Sequence, residues 1–252
     1  MSRKNRLIRK SLEVFLAAFA VTLFWYLLAL YVKNNMLPTP WVVLSEFVST
    51  FRSTLWVHFY ISTFRVAASI LIALVLAVPL GLYLGREESV DRLVFPVIYL
   101  VYPIPKIVFL PLVFLLLGLG DAPKIFMIVL ITFFQILVTT RDAAKSVPIQ
   151  NVYSMTSLGA SKFQIYYHVI WPACLPKILT SIRISLGTAI AVLFFVESFA
   201  TTEGLGYFIM DSWNTASYSQ MFTGIIGMSV LGLILYVLLD FIEARWCRWQ
   251  QL

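Results

Sequence analysis

Ser157-Leu158-Gly159-Ala160-Ser161, followed by Val169-Ile170-Trp171-Pro172, lies in a polar, mildly basic stretch (141–177) between long apolar runs. Its spacing predicts short helices. Residues 142–146 form one turn ended by Pro148, and 153–158 form a second short helix. Gly159 is free to take the left-handed conformation that ends a helix. Ser161 then caps the next helix, with Gln164 three positions on, as a capping box requires. Helix continues over 162–169 until Pro172 interrupts it. The product is either a helix–turn–helix knob that docks a partner or an amphipathic loop lying on the inner membrane surface, and the pattern does not say what docks.

The flanking runs set the fold class. Hydrophobic residues make up 60% of the 252-residue chain and charged residues 12%, against about 45–50% and about 25% in soluble domains. Lipid is therefore the expected solvent. Crossing a bilayer takes roughly 20 apolar residues, and the runs 12–32, 66–85, 93–119, 125–140, 178–200 and 221–241 are candidates. The expected fold is an all-α membrane protein of about six spans in a single transmembrane domain, 1–252. Pro96, Pro103, Pro105 and Pro111 either kink the third span or split it into a helix and a re-entrant piece. Residues 41–52, within an outer segment 38–60, read as an amphipathic surface helix, and 204–210 as an outer loop turning into a short helix.

Lys and Arg stay on the cytoplasmic side. With the N-terminus inside, inner segments hold Arg3, Lys4, Arg6, Arg9, Lys10, Arg86, Arg92, Arg141, Lys145, Lys162, Lys177, Arg245 and Arg248, thirteen in all. Outer segments hold three, Lys33, Arg52 and Lys124. Both termini and the 141–177 segment are thus expected in the cytoplasm of a multi-pass protein. The basic N-terminus is followed by an apolar run longer than the roughly 7–15 residues of a signal-peptide core, so a retained first helix is expected. Cys174 and Cys247 fall on the reducing side, where no disulfide is expected.

The +7 net charge is read as topology. The cations are spread over several loops and form no nucleic-acid-binding stripe. Gly159-Ala160-Ser161-Lys162-Phe163 lacks the second glycine of a nucleophile elbow. Gly204-Leu205-Gly206 has Ile209 where a dinucleotide fingerprint needs its third glycine, and there is no phosphate-binding loop ending in Lys-Ser or Lys-Thr. No cofactor or metal is expected on this chain. His58 and His168 fall on opposite sides of the membrane and cannot share a metal. Three classes are weighed: a transport subunit working with a partner docked on the knob, a gradient-driven secondary transporter or channel, and an intramembrane enzyme. The second calls for mid-membrane carboxylates and the third for a nucleophile, metal cluster or facing carboxylates, and neither set is evident.

The central segment resembles the cytoplasmic loop of permease subunits of bacterial binding-protein-dependent ATP-binding-cassette importers. Gly159, Val169, Trp171 and Pro172 match its Gly…Ile-x-Leu-Pro positions, whereas its Glu-Ala-Ala positions hold Tyr153, Ser154 and Met155. Asp142-Ala143-Ala144 lies too far from Gly159 to be that triplet. Leu37-Pro38-Thr39-Pro40, Pro79-Leu80-Gly81, Tyr102-Pro103-Ile104-Pro105, Leu110-Pro111-Leu112, Gly118-Leu119-Gly120 and Gly204-Leu205-Gly206 are similar to the branch serving sulfonates, taurine, nitrate and thiamine- or riboflavin-related compounds. The resemblance implies the type I importer fold and an inner-membrane location. Its implied partners are a second permease subunit (a homodimer is expected), two ATPase subunits that hold ATP and Mg, and an external solute-binding protein. It implies ATPase coupling through Tyr153, Ser154, Met155, Ser157, Leu158, Gly159, Ala160, Ser161, Lys162 and Pro172. With the glutamate missing, Lys162 or Asp142 is the alternative polar contact.

For the pathway, the proline-broken stretch with Tyr102, Pro103, Pro105, Lys106 and Pro111 is the leading candidate. A cation such as Lys106 within a span is a functional hypothesis by default. It either attracts an anionic solute, pairs with Glu197, or snorkels at a kinked end. Glu197 and Arg183 read as gate or packing residues.

Overall fold

In a computed structural model, residues 3–32, 36–247 and 249 are described. Lys33 and Arg248 lie outside the described residues. Long apolar sequence with few breakers gives helix, and no strand occurs among the described residues. α1 (Arg3–Val32) is mostly exposed over residues 15–32, and near its C-terminal end Trp25 stacks on Phe222 with ring centroids 5.7 Å apart. α2 (Pro40–Thr50) runs through a π turn, Phe51–Leu55, into α3 (Trp56–Arg86). Together they form one 47-residue apolar helix, Pro40–Arg86. Residues 41–52, expected as an outer surface helix, thus run on without a break into the helix of the second span. No Gly or Pro lies between Thr50 and Trp56 to break it, and one widened turn absorbs the change in register. Val43 is buried there, and its carbonyl accepts from Thr223 Oγ1 on the last helix at 3.5 Å.

The third span is broken. α4 (Glu88–Val101), a 3-10 turn (Lys106–Phe109) and α5 (Leu110–Leu117) meet at 76°. Pro103 and Pro105 carry no N–H, so the last turn of α4 cannot be continued. Among the described residues, five helices are long and apolar enough to cross a membrane, and the bent pair makes six if it is one span. α6 (Asp121–Lys145) extends beyond the expected 125–140 at both ends. Residues 142–146, expected as a separate turn, belong to the end of α6 and its cap.

α7 (Ile149–Ser157) and α8 (Lys162–Ile165) follow, and a π turn, Tyr166–Ile170, leads into α9 (Trp171–Glu197). Pro172 does not interrupt the helix. It sits in the first turn of α9, where a missing N–H costs least. The π turn before it takes the strain, with the Trp171 N–H reaching the Tyr166 carbonyl. α10 (Leu205–Asn214) and α11 (Tyr218–Trp246) follow.

α3, α6 and α9 form the centre of the bundle, with α3 and α6 in the closest association. A Cβ on Gly81 would lie 2.7 Å from Thr140 Cβ, and one on Gly85 would strike the Arg141 carbonyl. Helices in lipid associate through such small-residue faces, because no hydrophobic effect drives them together there.

Candidate functional site: docking knob and broken-span cavity

The knob is built by local rules. Gly159 has φ +79°, and a Schellman motif closes α7: the Ala160 N–H donates to Met155 O at 3.1 Å and the Gly159 N–H to Thr156 O at 2.9 Å. Ser161 and Gln164 form the expected capping box, with Ser161 N–H to Gln164 Oε1 at 2.8 Å and Gln164 N–H to Ser161 Oγ at 3.3 Å. The knob is therefore rigid at its bend.

Its base is anchored on the bundle. Arg86 donates to the Val147 carbonyl at 3.2 Å, and Lys177 Nζ to Ser146 Oγ at 2.8 Å. Val152, Ile165, Tyr166 and Val169 pack on the core around Ile170 and Cys174.

Its tip is bare. Tyr153, Leu158, Phe163 and Tyr167 are 63%, 82%, 77% and 60% exposed. Ser154 and Ser157 turn their hydroxyls back onto Gln150 O and Tyr153 O, both at 2.9 Å, leaving an apolar face with little free polarity. Ala160 and Met155 line a shallow cleft with Leu158, Gly159, Gln164 and His168. Lys162 Nζ lies 3.7 Å from Glu87. Pro172 and Asp142 are off the tip, at the start of α9 and the end of α6; Asp142 pairs with Arg141 at 2.7 Å.

The broken span makes a cavity of about 370 Å³ against α6 and α9, lined by Tyr102, Pro105, Lys106, Phe134, Gln135 and Thr188 among others. Lys106 is only 9% exposed. Its Nζ donates to the carbonyls of Val101, Tyr102 and Ile104 at 3.3, 3.0 and 3.4 Å and lies 4.7 Å from the Phe134 ring centre. The ammonium caps the end of α4, where the prolines leave carbonyls without helical donors. Pro103 lies in the break itself; Pro111 lies beyond the cavity, in the first turn of α5.

Glu197 is not beside Lys106. Fully buried, it accepts from Arg65 Nη1 at 2.7 Å, from Ser62 Oγ at 2.9 and 2.8 Å, and from the Gly206 N–H at 2.9 Å. Arg65 also binds Asp121 at 2.6 Å and the Glu203 carbonyl at 2.9 Å. This clamp ties α3, α6, α9 and the loop before α10 together at the far end of α9 from the knob, and it explains the Gly204-Leu205-Gly206 motif. Gly204 has φ +113°, and a Cβ on Gly206 would sit 2.6 Å from Glu197 Cβ. His58 Nδ1 accepts from the Gly204 N–H at 3.1 Å, so His58 and His168 lie at opposite ends of the α8–α9 helix. Arg183 pairs with Asp240 and Glu243 on α11, a helix-to-helix tie.

The chain matches the family described as binding-protein-dependent transport system inner membrane component over residues 77–248, more than half its length. It belongs to that family. The permease is 28% identical to the taurine transport system permease protein TauC of Escherichia coli, over 95% of this chain and 90% of that one. It is 32% identical to a protein of Methanocaldococcus jannaschii named as an ABC transporter permease, over 96% of this chain and 92% of that one. Among solved structures, the methionine ABC transporter MetNI in an inward-facing form aligns with TM-score 0.61 at 22% identity, covering 76% of this chain and 93% of that one. That likeness concerns the fold, a type I importer permease. The permease is thus a multi-span inner-membrane subunit of an ABC importer for a small solute.

Two clusters escaped the sequence reading. One is the clamp on Arg65 and Glu197. The other lies beside the knob: Arg141 bonds Asp91 at 2.6 and 2.5 Å while its guanidinium stacks 3.6 Å from the centre of the Phe95 ring, and Lys145 adds 3.2 Å to Asp91. The helical partners of these charges are 50 and more residues apart in sequence, so no local pattern pairs them. Gly81-x-x-x-Gly85 is a different case, because its spacing alone points to a close helix crossing.

Proposed function

We propose that this permease imports a small organic anion and is driven by a separate ATPase docked on the 153–162 knob. The observation that carries this is mechanical. Phe163 and Tyr167 of the exposed tip stand on a 36-residue helix, through α8, the π turn and α9, that ends at Glu197, and Tyr153 and Leu158 join it through the hydrogen-bonded Gly159 bend. A push at the tip therefore reaches the cavity wall and the clamp without crossing a flexible joint. Tyr153, Leu158 and Phe163 present apolar area to the ATPase, and Lys162 is the polar contact that takes over from the absent glutamate.

Two copies of the permease form the pathway, two ATPases lie on the cytoplasmic face, and a solute-binding protein delivers cargo outside. ATP and Mg belong to the ATPases. The orientation with both termini inside is supported by Arg86, Arg92, Arg141, Lys145, Lys162 and Arg245, near helix ends on the knob side, and by Lys177, which reaches Ser146 there. A cargo that carries an anionic group is supported by the buried Lys106 and by the relative named for taurine, which bears a sulfonate.

The test is affinity purification of the tagged chain in mild detergent beside Gly159→Arg. An ATP-binding-cassette ATPase is expected with the native chain and not with the variant. Transport by the native chain alone in liposomes without ATP would overturn the reading in favour of a gradient-driven transporter.

A further inference from the structure

We infer that the broken-span cavity is a two-point subsite for a small zwitterion of the aminoalkanesulfonate kind, with Lys106 taking the oxoanion and Gln135 the donor end. This rests on the importer reading above and assigns the cargo's contacts.

Lys106 is a buried cation with no carboxylate in ion-pair distance among the described residues; its Nζ touches only carbonyl dipoles and ring faces. Carbonyl dipoles solvate an ammonium without cancelling its charge, so the cavity keeps a net positive charge in a low-dielectric wall and favours an anion there. Two of its three hydrogen bonds, at 3.3 and 3.4 Å, are long enough to be exchanged for a charge-assisted one.

A second observation points to a ligand donor. Gln135 Oε1 is buried without a hydrogen-bond partner among the described residues, while its Nε2 reaches Thr188 Oγ1 at 3.3 Å. An orphaned buried acceptor is costly unless something supplies a donor. Both residues line the same cavity of about 370 Å³, whose remaining walls are largely apolar and aromatic, including Ile131, Phe134 and Phe195. That lining suits a weakly hydrated sulfonate and a short alkyl spacer, with the ammonium at the amide oxygen. A carboxylate for the ammonium is absent from the lining, so the anion is the dominant anchor.

The experiment is saturation-transfer NMR on the full chain in lipid nanodiscs, with taurine, ethanesulfonate and ethylamine as probes. Taurine is expected to bind best, ethanesulfonate more weakly and ethylamine not at all. Lys106→Met is expected to weaken both sulfonates about tenfold or more, the loss that one charge-assisted contact carries, and Lys106→Arg to retain them. Gln135→Leu is expected to bring taurine down to the level of ethanesulfonate while leaving ethanesulfonate unchanged. If Lys106→Met does not fold, Gln135→Glu replaces it; the added carboxylate neutralises the cavity and is expected to abolish sulfonate binding. Taurine binding unaffected by these changes, no taurine signal with the native chain, or ethylamine binding as well as taurine would overturn the assignment. Capture of the ATPase is a separate readout. Capture without Lys106-dependent taurine binding sinks the subsite alone, and the converse sinks the coupling alone.

Discussion

The two ends of the Lys162–Glu197 helix are built on opposite principles. At one end the knob holds its shape by bonds between residues three to five positions apart, and it leaves its side chains bare. At the other end Glu197 is fully buried, and its partners Ser62 and Arg65 lie more than 130 residues away. A shape made locally survives docking and release, because nothing else in the fold depends on its surface. A shape made by a long-range ion cluster ties separate helices into one body, so that a displacement at the knob is carried as a rigid movement. The contrast is between a part that must be recognised and a part that must not give.

The largest effect should come from removing one side of the clamp. Glu197→Ala leaves Arg65 buried without its full counter-charge, and a loss of about 3–5 kcal/mol is expected, read as a lowered unfolding temperature and poor recovery of monodisperse protein in detergent. Next is Gly206→Ala, whose Cβ would lie 2.8 Å from the Phe194 carbonyl as well as against Glu197. Overpacking of this kind costs about 1–3 kcal/mol, measured the same way. At the knob, Gly159→Ala meets no atom within 4 Å but must hold φ +79°. About 1–2 kcal/mol is expected, confined to faster amide exchange over 149–168 with the unfolding temperature unchanged. Ser161→Ala removes the capping box and should cost the knob about 1 kcal/mol, seen in the same exchange experiment. Leu158→Asp should move stability by less than about 0.5 kcal/mol and still abolish ATPase capture. Global unfolding by Gly159→Ala, or ATPase capture undiminished in Leu158→Asp, would break the contrast between the two ends.

The knob was legible because its determinants are short-range. A glycine after a helix and a serine three residues before a glutamine act within a turn or two. The apolar runs likewise announced the spans, since length and hydropathy are local sums. The broken third span was half legible. Its prolines marked the break, but the 76° bend and Lys106 as the cap of α4 came from the fold. The unbroken run of residues 41–52 into the second-span helix was not legible, because the π turn at Phe51–Leu55 that joins them carries no local mark. Pro172 was misread as a stop, because the π turn that accommodates it is a property of the chain before it. Glu197 reads from the sequence only as a gate or packing residue or a partner for Lys106, and its bonds to Arg65, Ser62 and Gly206 show it to be part of the clamp.

By itself the sequence determined the solvent, the approximate number of crossings and the shape of the knob, since hydropathy, proline and glycine act over a few neighbouring residues. The tertiary structure decided which buried charges are satisfied. It gave Glu197 and Asp91 their arginines and left Lys106 with carbonyls, because pairing across a bundle depends on which helices approach, and that is set where Gly81 and Gly85 let α3 lie against α6.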